Sequence, residues 1–254
     1  MRTVPILAKV SFWLAVVSLL VIVSAGFGKQ LGLWPMPFAL LMMLPAGVLL
    51  GAVAAAVGLV WVVWSRMSDN RANGLYGWIG FIGAIAVIAA PVHAAYVGFT
   101  VPPINDITTD TEHPPQFVAL LGLRKDAQTP PDYPGGKTLT WKGEKVTWAE
   151  AQKLAYPDIR TYFAFTTPDK LFDTALKVAR DMGWRIVAAD KKDGRIEATD
   201  TTFFFGFTDD IVIRVAQSGE GAKLDIRSKS RVGISDVGKN AARIRAYRQA
   251  LEGT

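Results

Sequence analysis

Cysteine is absent from the 254 residues, which excludes disulfides, thiolate nucleophiles and cysteine-ligated zinc or iron–sulfur centres. Histidine is scarce, with two residues only, and no serine sits in a Gly-x-Ser-x-Gly elbow, so a serine triad has little to draw on. No Walker loop and no Gly-x-Gly-x-x-Gly fingerprint occurs, which removes the common nucleotide-binding motifs. Charge is nearly missing from one half. Of 28 Lys and Arg and 22 Asp and Glu, the first hundred residues hold five basic (Arg2, Lys9, Lys29, Arg66, Arg71) and one acidic (Asp69), leaving 23 and 21 for the rest. The net charge of +6 is therefore mostly a property of the apolar half. The second half is almost balanced and carries no electrostatic footprint for a polyanion, so nucleic acid is not an expected partner.

What the first half does have is length of apolar sequence. Val10–Gly28, Gln30–Ser65 and Ala72–Asn105 are free of acids and of Lys and Arg, and a bilayer crossing needs about 20 apolar residues. The first run resembles a signal peptide in its basic flank, but Ser24-Ala25-Gly26 makes a poor cleavage site and two more runs follow. Three transmembrane helices are predicted, at about 10–28, 39–64 and 75–98, within a membrane domain over 1–100. Pro45 is expected to kink or start the second. Gly47, Gly51 and Ala55, and Gly80 with Ala84, recur every four residues as small-residue seams, for packing among these helices or against a partner subunit. His93 is the only ionisable residue inside a predicted span. It reads either as a functional group or as a neutral partner for a carbonyl freed by Pro91. Arg2, Lys9, Arg66 and Arg71 on one side against Lys29 on the other place the N-terminus in the cytoplasm. The C-terminal domain then lies outside an inner (cell) membrane, in a periplasm where the organism has one.

Beyond residue 100 the pattern changes. Residues 101–157 are rich in Pro, Gly and charge and read as an extended junction and linker, with a short hairpin about Lys142-Gly143 and a turn or two of helix over Ala149–Leu154. From 158 an α+β domain is predicted. Ile159–Phe165 has strand composition, and Thr167-Pro168 caps a helix. The apolar face of that helix is Leu171, Phe172, Ala175, Val178 and Ala179. Four strand-like runs follow, Trp184–Asp190, Arg195–Phe204, Asp210–Gln217 and Ala222–Ser228, joined by short turns that favour an antiparallel meander. A last helix starts near Ser235-Asp236 with an Ala241, Ile244, Tyr247, Leu251 stripe. The expected fold is a two-layer α/β sandwich, an antiparallel sheet with two helices on one face.

Strand alternation puts Ile196, Ala198, Ile211, Ile213, Val215, Leu224 and Ile226 on one face and Arg195, Glu197, Arg214, Asp225 and Arg227 on the other. The charged face reads as a solvated ladder of ion pairs, as a floor for the chain's own 101–157 segment, or as a floor for an outside ligand. The densest polar run is Val101–Phe117, VPPINDITTDTEHPPQF, whose proline pairs exclude a long helix and argue against an ordinary strand. Asp106, Asp110, Glu112 and His113 have the ligand chemistry of a hard metal site, but the glycine of a calcium loop is missing. The structural account is a set of Asx and Ser/Thr turns that cap backbone groups. Asp209-Asp210 with Arg214, and Arg227, Arg231, Asp236 and Arg243, read as a network joining strand ends to the last helix. No metal and no cofactor is assigned.

Several strings resemble a known bacterial family. These are Asn105 to Thr111 with Pro114-Pro115-Gln116-Phe117, Tyr156-Pro157-Asp158-Ile159, Gly183-Trp184 and Arg195-Ile196-Glu197-Ala198. With them go Asp209-Asp210 and Ile213-Arg214, then Asp225-Ile226-Arg227-Ser228, Ser230-Arg231-Val232-Gly233, Asp236, Gly238, Asn240-Ala241 and Arg243-Ile244-Arg245. Together they resemble the domain of unknown function 1499 family over about 101–252. The resemblance implies a frequent N-terminal membrane segment and no established activity. The expected function is a membrane-anchored binding or scaffold module in a membrane or envelope assembly, with other membrane-protein subunits as partners. The alternative is a metal- or carboxylate-dependent hydrolase at the membrane surface. The candidate network is Asp106, Asp110, His113, Asp210, Arg214, Asp225, Arg227, Arg231, Asp236 and Arg243. The 105–117 acids are expected to meet an arginine of the strand-end set.

Overall fold

A computed structural model describes residues 3–67 and 74–253 and divides the chain into two compact units. Residues 1–96 with Phe203–Gly206 form one, and residues 97–202 with 207–254 the other. In the first, α1 (Thr3–Gln30), α2 (Met36–Phe38), α3 (Leu44–Met67) and α4 (Gly74–Thr100) give three helical stretches long and apolar enough to cross a membrane: Ile6–Gln30, Met36–Met67 and Gly74–Thr100. α2 and α3 are one continuous rod joined by a π-turn at Ala39–Met43. Pro45 explains that turn. It lacks the N–H that would close the preceding α-turn, and a wider i→i+5 turn absorbs the mismatch.

Small residues set how close the helices come. Gly47, Gly51, Ala54 and Gly58 of α3 are buried, as are Gly77, Gly80 and Ala84 of α4. A methyl on Gly80 would stand 2.6 Å from the Phe12 backbone nitrogen, so only hydrogen fits. Ser11 and Ser18 of α1 donate to the Ala54 and Gly47 carbonyls at 2.9 and 2.7 Å, which satisfies polar groups without water. His93 is exposed on α4. Arg2, Arg71 and Asp69, with the rest of 68–73, lie outside the described residues.

The second unit is an antiparallel sheet with helices. Its strands are β1 (Asp106–Thr108), β4 (Tyr162–Ala164), β5 (Arg185–Asp190), β6 (Arg195–Thr201), β7 (Thr208–Ser218) and β8 (Gly221–Ser230). The order is β1-β8-β7-β6-β5, with β4 also on β8. β1 pairs the C-terminal half of β8, from Arg227 to Lys229, and β4 pairs its N-terminal half, from Ala222 to Leu224. A separate hairpin, β2 (Thr138–Trp141) and β3 (Glu144–Thr147), turns on Lys142 and Gly143, both left-handed. α5 (Trp148–Ala155) follows, opened by a Thr147/Glu150 capping box.

Two expectations need correction. The 101–117 run does contain a strand, because three residues between the proline pairs suffice to pair β8. The last helix also begins later than Ser235-Asp236. Gly238, with φ 77°, is its N-cap, and Asp236 accepts the Gly238 and Asn240 amides just outside it.

α6 (Pro168–Asp181) and α7 (Lys239–Glu252) cover one face of the sheet. Leu171, Phe172, Ala175, Val178 and Ala179 of α6 and Ala241, Ile244, Tyr247 and Leu251 of α7 are all buried against Ile196, Ala198, Ile211, Ile213, Val215, Leu224 and Ile226. The Trp184 and Tyr247 rings stack at 5.1 Å, and Tyr247 donates to the Ala175 carbonyl, tying the two helices. Gly194 closes the β5–β6 turn with φ 62°, where a methyl would lie 2.1 Å from the Val215 carbonyl oxygen. Gly194→Ala therefore costs about 2–3 kcal/mol, whereas Gly143→Ala, left-handed but in open space, costs about 1 kcal/mol. Thermal unfolding followed by near-UV circular dichroism ranks the two.

Candidate functional site

The candidate residues separate onto the two faces of the sheet. Asp209 and Asp210 are neighbours in sequence, and strand periodicity sends one to each side. On the face away from α6 and α7 stands a buried charge network. Asp106 is fully buried and accepts from Arg227 through Nε at 2.9 Å and Nη2 at 2.8 Å, and from Lys229 Nζ at 2.7 Å. Arg227 is fully buried too. Its remaining donors reach the Pro115 and Pro131 carbonyls at 3.2 and 2.7 Å, and its guanidinium lies over the Phe117 ring. Burial pushes the Lys229 ammonium below its ordinary pKa, and Asp106 pulls it back only in part.

Two further clusters extend this network. Asp210 holds Arg231 at 2.7–3.1 Å and also binds Arg124, whose Nη2 clamps Thr129. Asp225 accepts from Arg214 at 2.8 Å and from the Thr109 and Thr161 hydroxyls. Arg214 reaches on to Asp110 at 3.0 Å, and the other Asp110 oxygen accepts the Glu112 and His113 amides in an Asx turn. Burial alone would raise the Asp110 pKa, but those two amides and Arg214 outweigh it and hold the carboxyl below the usual range.

The cover over this face is the chain itself. Glu197 is fully buried and accepts the amides of Val118, Ala119 and Leu120 at 2.9–3.1 Å, with Arg195 at 3.1 Å. A 3₁₀ turn at Ala119–Leu123 sits there, and Phe117, Leu120 and Val212 make a small second core. Of the three readings of the charged face, the structure shows the floor for the chain's own segment.

On the helix face a smaller polar cluster sits at the start of α7. Arg243 donates to Asp200 and Asp209 at 2.6–2.9 Å and to Ser228 and Asn240 at 3.1 and 2.7 Å. Asp236 caps the adjoining turn. Burial raises its carboxyl to about 6, against the pull of the Asn240 and Gly238 amides.

Sequence reasoning thus named residues that fall into two networks and treated them as one set. His113 joins neither; it is exposed, and its backbone amide is what meets Asp110. Among the described residues no group of three or more His, Asp or Glu side chains is spaced to hold a metal ion. Charged participants left off the sequence list include Arg124, Glu197, Asp200 and Lys229. Glu197 carried a readable signal, being in a strand on known parity, while Arg124 lies in a loop whose path no pattern reveals.

A family profile described as protein of unknown function (DUF1499) matches residues 106–251. The chain belongs to this family. No curated protein matches it. The matched span opens on Asp106, the first residue of β1, and closes on Leu251, the last buried residue of α7. The DUF1499 unit here is therefore the sheet, its two helices and the segment lying over the charged face.

Chemically, carboxylates already accepting two to four hydrogen bonds from cations and amides are poor bases and good clamps. Glu197→Gln should cost about 2–4 kcal/mol, since it removes a buried charge and turns an amide donor toward backbone N–H groups. Hydrogen exchange at Val118, Ala119 and Leu120 accelerates with it, whereas Glu112→Gln, at a 77% exposed side chain, leaves those amides unchanged. Asp236 gives a pH signature of the opposite sign to Asp110. Its folded pKa lies above the unfolded value, so the folded form takes up the proton first and stability falls as pH rises from about 4 to about 6. Asp236→Asn removes that slope, and its melting temperature relative to the native chain increases across that window.

Proposed function

We propose that the chain is a membrane-anchored binding module whose DUF1499 domain lies outside the cytoplasm. The observation that carries this reading is the state of the buried charges. Asp106, Glu197, Asp210 and Asp225 are each engaged by internal cations, amides or hydroxyls, and their work is to hold residues 105–131 on the sheet. A platform of that kind presents a fixed surface to a partner. No acid, base and nucleophile converge among the described residues, so hydrolysis gains no support from the Asp106, Asp110 and His113 set.

Orientation rests on the basic residues of the sequence, Arg2, Lys9, Arg66 and Arg71 against Lys29. The absence of cysteine makes it directly measurable. Gly32→Cys and Glu220→Cys are expected to react with a membrane-impermeant maleimide in intact cells, and Ser68→Cys only after lysis. The reverse pattern puts the domain in the cytoplasm. Purification of the full chain in mild detergent, followed by mass spectrometry, is expected to show a co-purifying subunit or bound lipid. A chain that purifies alone with stoichiometric metal counts against a binding module.

A further inference from the structure

Outside both charge networks the DUF1499 domain holds a cavity of about 330 Å³, between the C-terminal half of α7 and the 158–162 segment that leads into β4. The topology creates it. β1 and β4 both pair β8 but leave Asp225 and Ile226 between them, where Thr109 exchanges bonds with the Ile226 backbone, its hydroxyl accepting the Ile226 amide at 3.0 Å, and the Thr161 hydroxyl meets the Asp225 carboxylate. Next to that gap the sheet and α7 are not closed over by a further strand.

The floor is apolar, with Ile159, Leu224, Ile226, Ile244 and Leu251 beside the Tyr247 ring. The mouth is cationic. Arg245 pairs Asp158 at 2.6 Å and Arg248 pairs Glu252 at 2.8 Å. Arg160 donates through Nε to the Pro157 carbonyl and meets no carboxylate among the described residues. Three guanidinium groups thus face two carboxylates, leaving one positive charge in excess at the entrance.

Each half of this arrangement selects a ligand feature. An apolar floor, whose Tyr247 hydroxyl is already given to the Ala175 carbonyl, offers water few polar partners and favours a hydrocarbon. A guanidinium with free donors favours a carboxylate or phosphate, which it can grip with two bonds. The volume lies at the lower end of small-molecule sites, about 300–1,000 Å³. We propose that this cavity binds a single-chain amphiphile with an anionic head, the chain on Leu224 and Ile226 and the head at Arg160. The assignment rests on the reading of the domain as a binding module and names its ligand class.

The test uses the full chain in nanodiscs of zwitterionic lipid and a diazirine-bearing dodecanoate as the probe. Light-induced label is expected on residues 157–162 and 244–252. Excess dodecanoate or dodecyl phosphate should compete it away, while dodecanol and inorganic phosphate should not. The better of the two competitors marks the source as a free fatty acid or a phosphate-headed lipid. Arg160→Glu at the mouth and Gln249→Trp across it, both at exposed positions, should each lower the cavity label about tenfold with unchanged circular dichroism. Label confined to the membrane-spanning helices overturns the proposal. So does cavity label that dodecanol competes equally or that both variants retain. If a protein subunit still co-purifies in that case, the binding-module reading stands and only the amphiphile is lost.

Discussion

The charged face of the sheet depends on one ion pair, Asp106 with Arg227, both fully buried. Moving two charges out of water costs several kcal/mol each even after relaxation, so such a pair persists only with further partners. Here they are present. Asp106 binds Arg227 through both oxygens and adds Lys229, while Arg227 donates to Pro115 and Pro131. The choice of prolyl carbonyls has a physical logic. A segment carrying Pro114-Pro115 and Pro130-Pro131 lacks the amides to pair as a strand, but its carbonyls remain, and a guanidinium with five donors can collect several at once. Arginine supplies what the sheet ladder cannot.

That dependence explains what could be read from the sequence. α6 and α7 were legible because their buried sets repeat at helical spacing, and β5 to β8 because apolar and charged residues alternate over short turns. Their strand limits shifted by a residue or two, save for β6, which ends at Thr201 and leaves Phe203–Phe205 outside it. β1 was not legible. Its three residues carry no period, and they form a strand only because Arg227 and Lys229 wait on β8 for Asp106. Residue types such as Asp209 and Asp210 were visible, but their assignment to opposite faces required the register of β7 against β6 and β8. Arg124 lies further out of reach, since a loop residue becomes part of a network only when the loop's path is known.

The membrane half follows a different rule. Between apolar helices there is no hydrophobic gain from association, so close packing of small residues and a few interhelical hydrogen bonds carry it. Gly51, Gly58 and Gly80 give the approach, and Ser11 and Ser18 the bonds. The glycine period was visible in sequence. The seam itself turned from Ala55 to Ala54 and Gly58, because repeated steps of four overshoot the 3.6-residue turn and the buried face returns at i+7 and i+11 from Gly47.

The arginines of α7 separate architecture from recognition on one helix. Arg243 faces inward and is matched by Asp200, Asp209, Ser228 and Asn240, so its donors are already taken within the fold. Arg245 and Arg248, about half-exposed, pair with single carboxylates, contacts that are individually worth little and exchange readily for another anion. Two and five residues apart, they turn from the core to the cavity mouth within a turn and a half. A buried arginine with four partners resists replacement by ligand. An exposed one with a single partner is available to it, and this difference points to the cavity, not the larger network, as the place where the domain meets something outside itself.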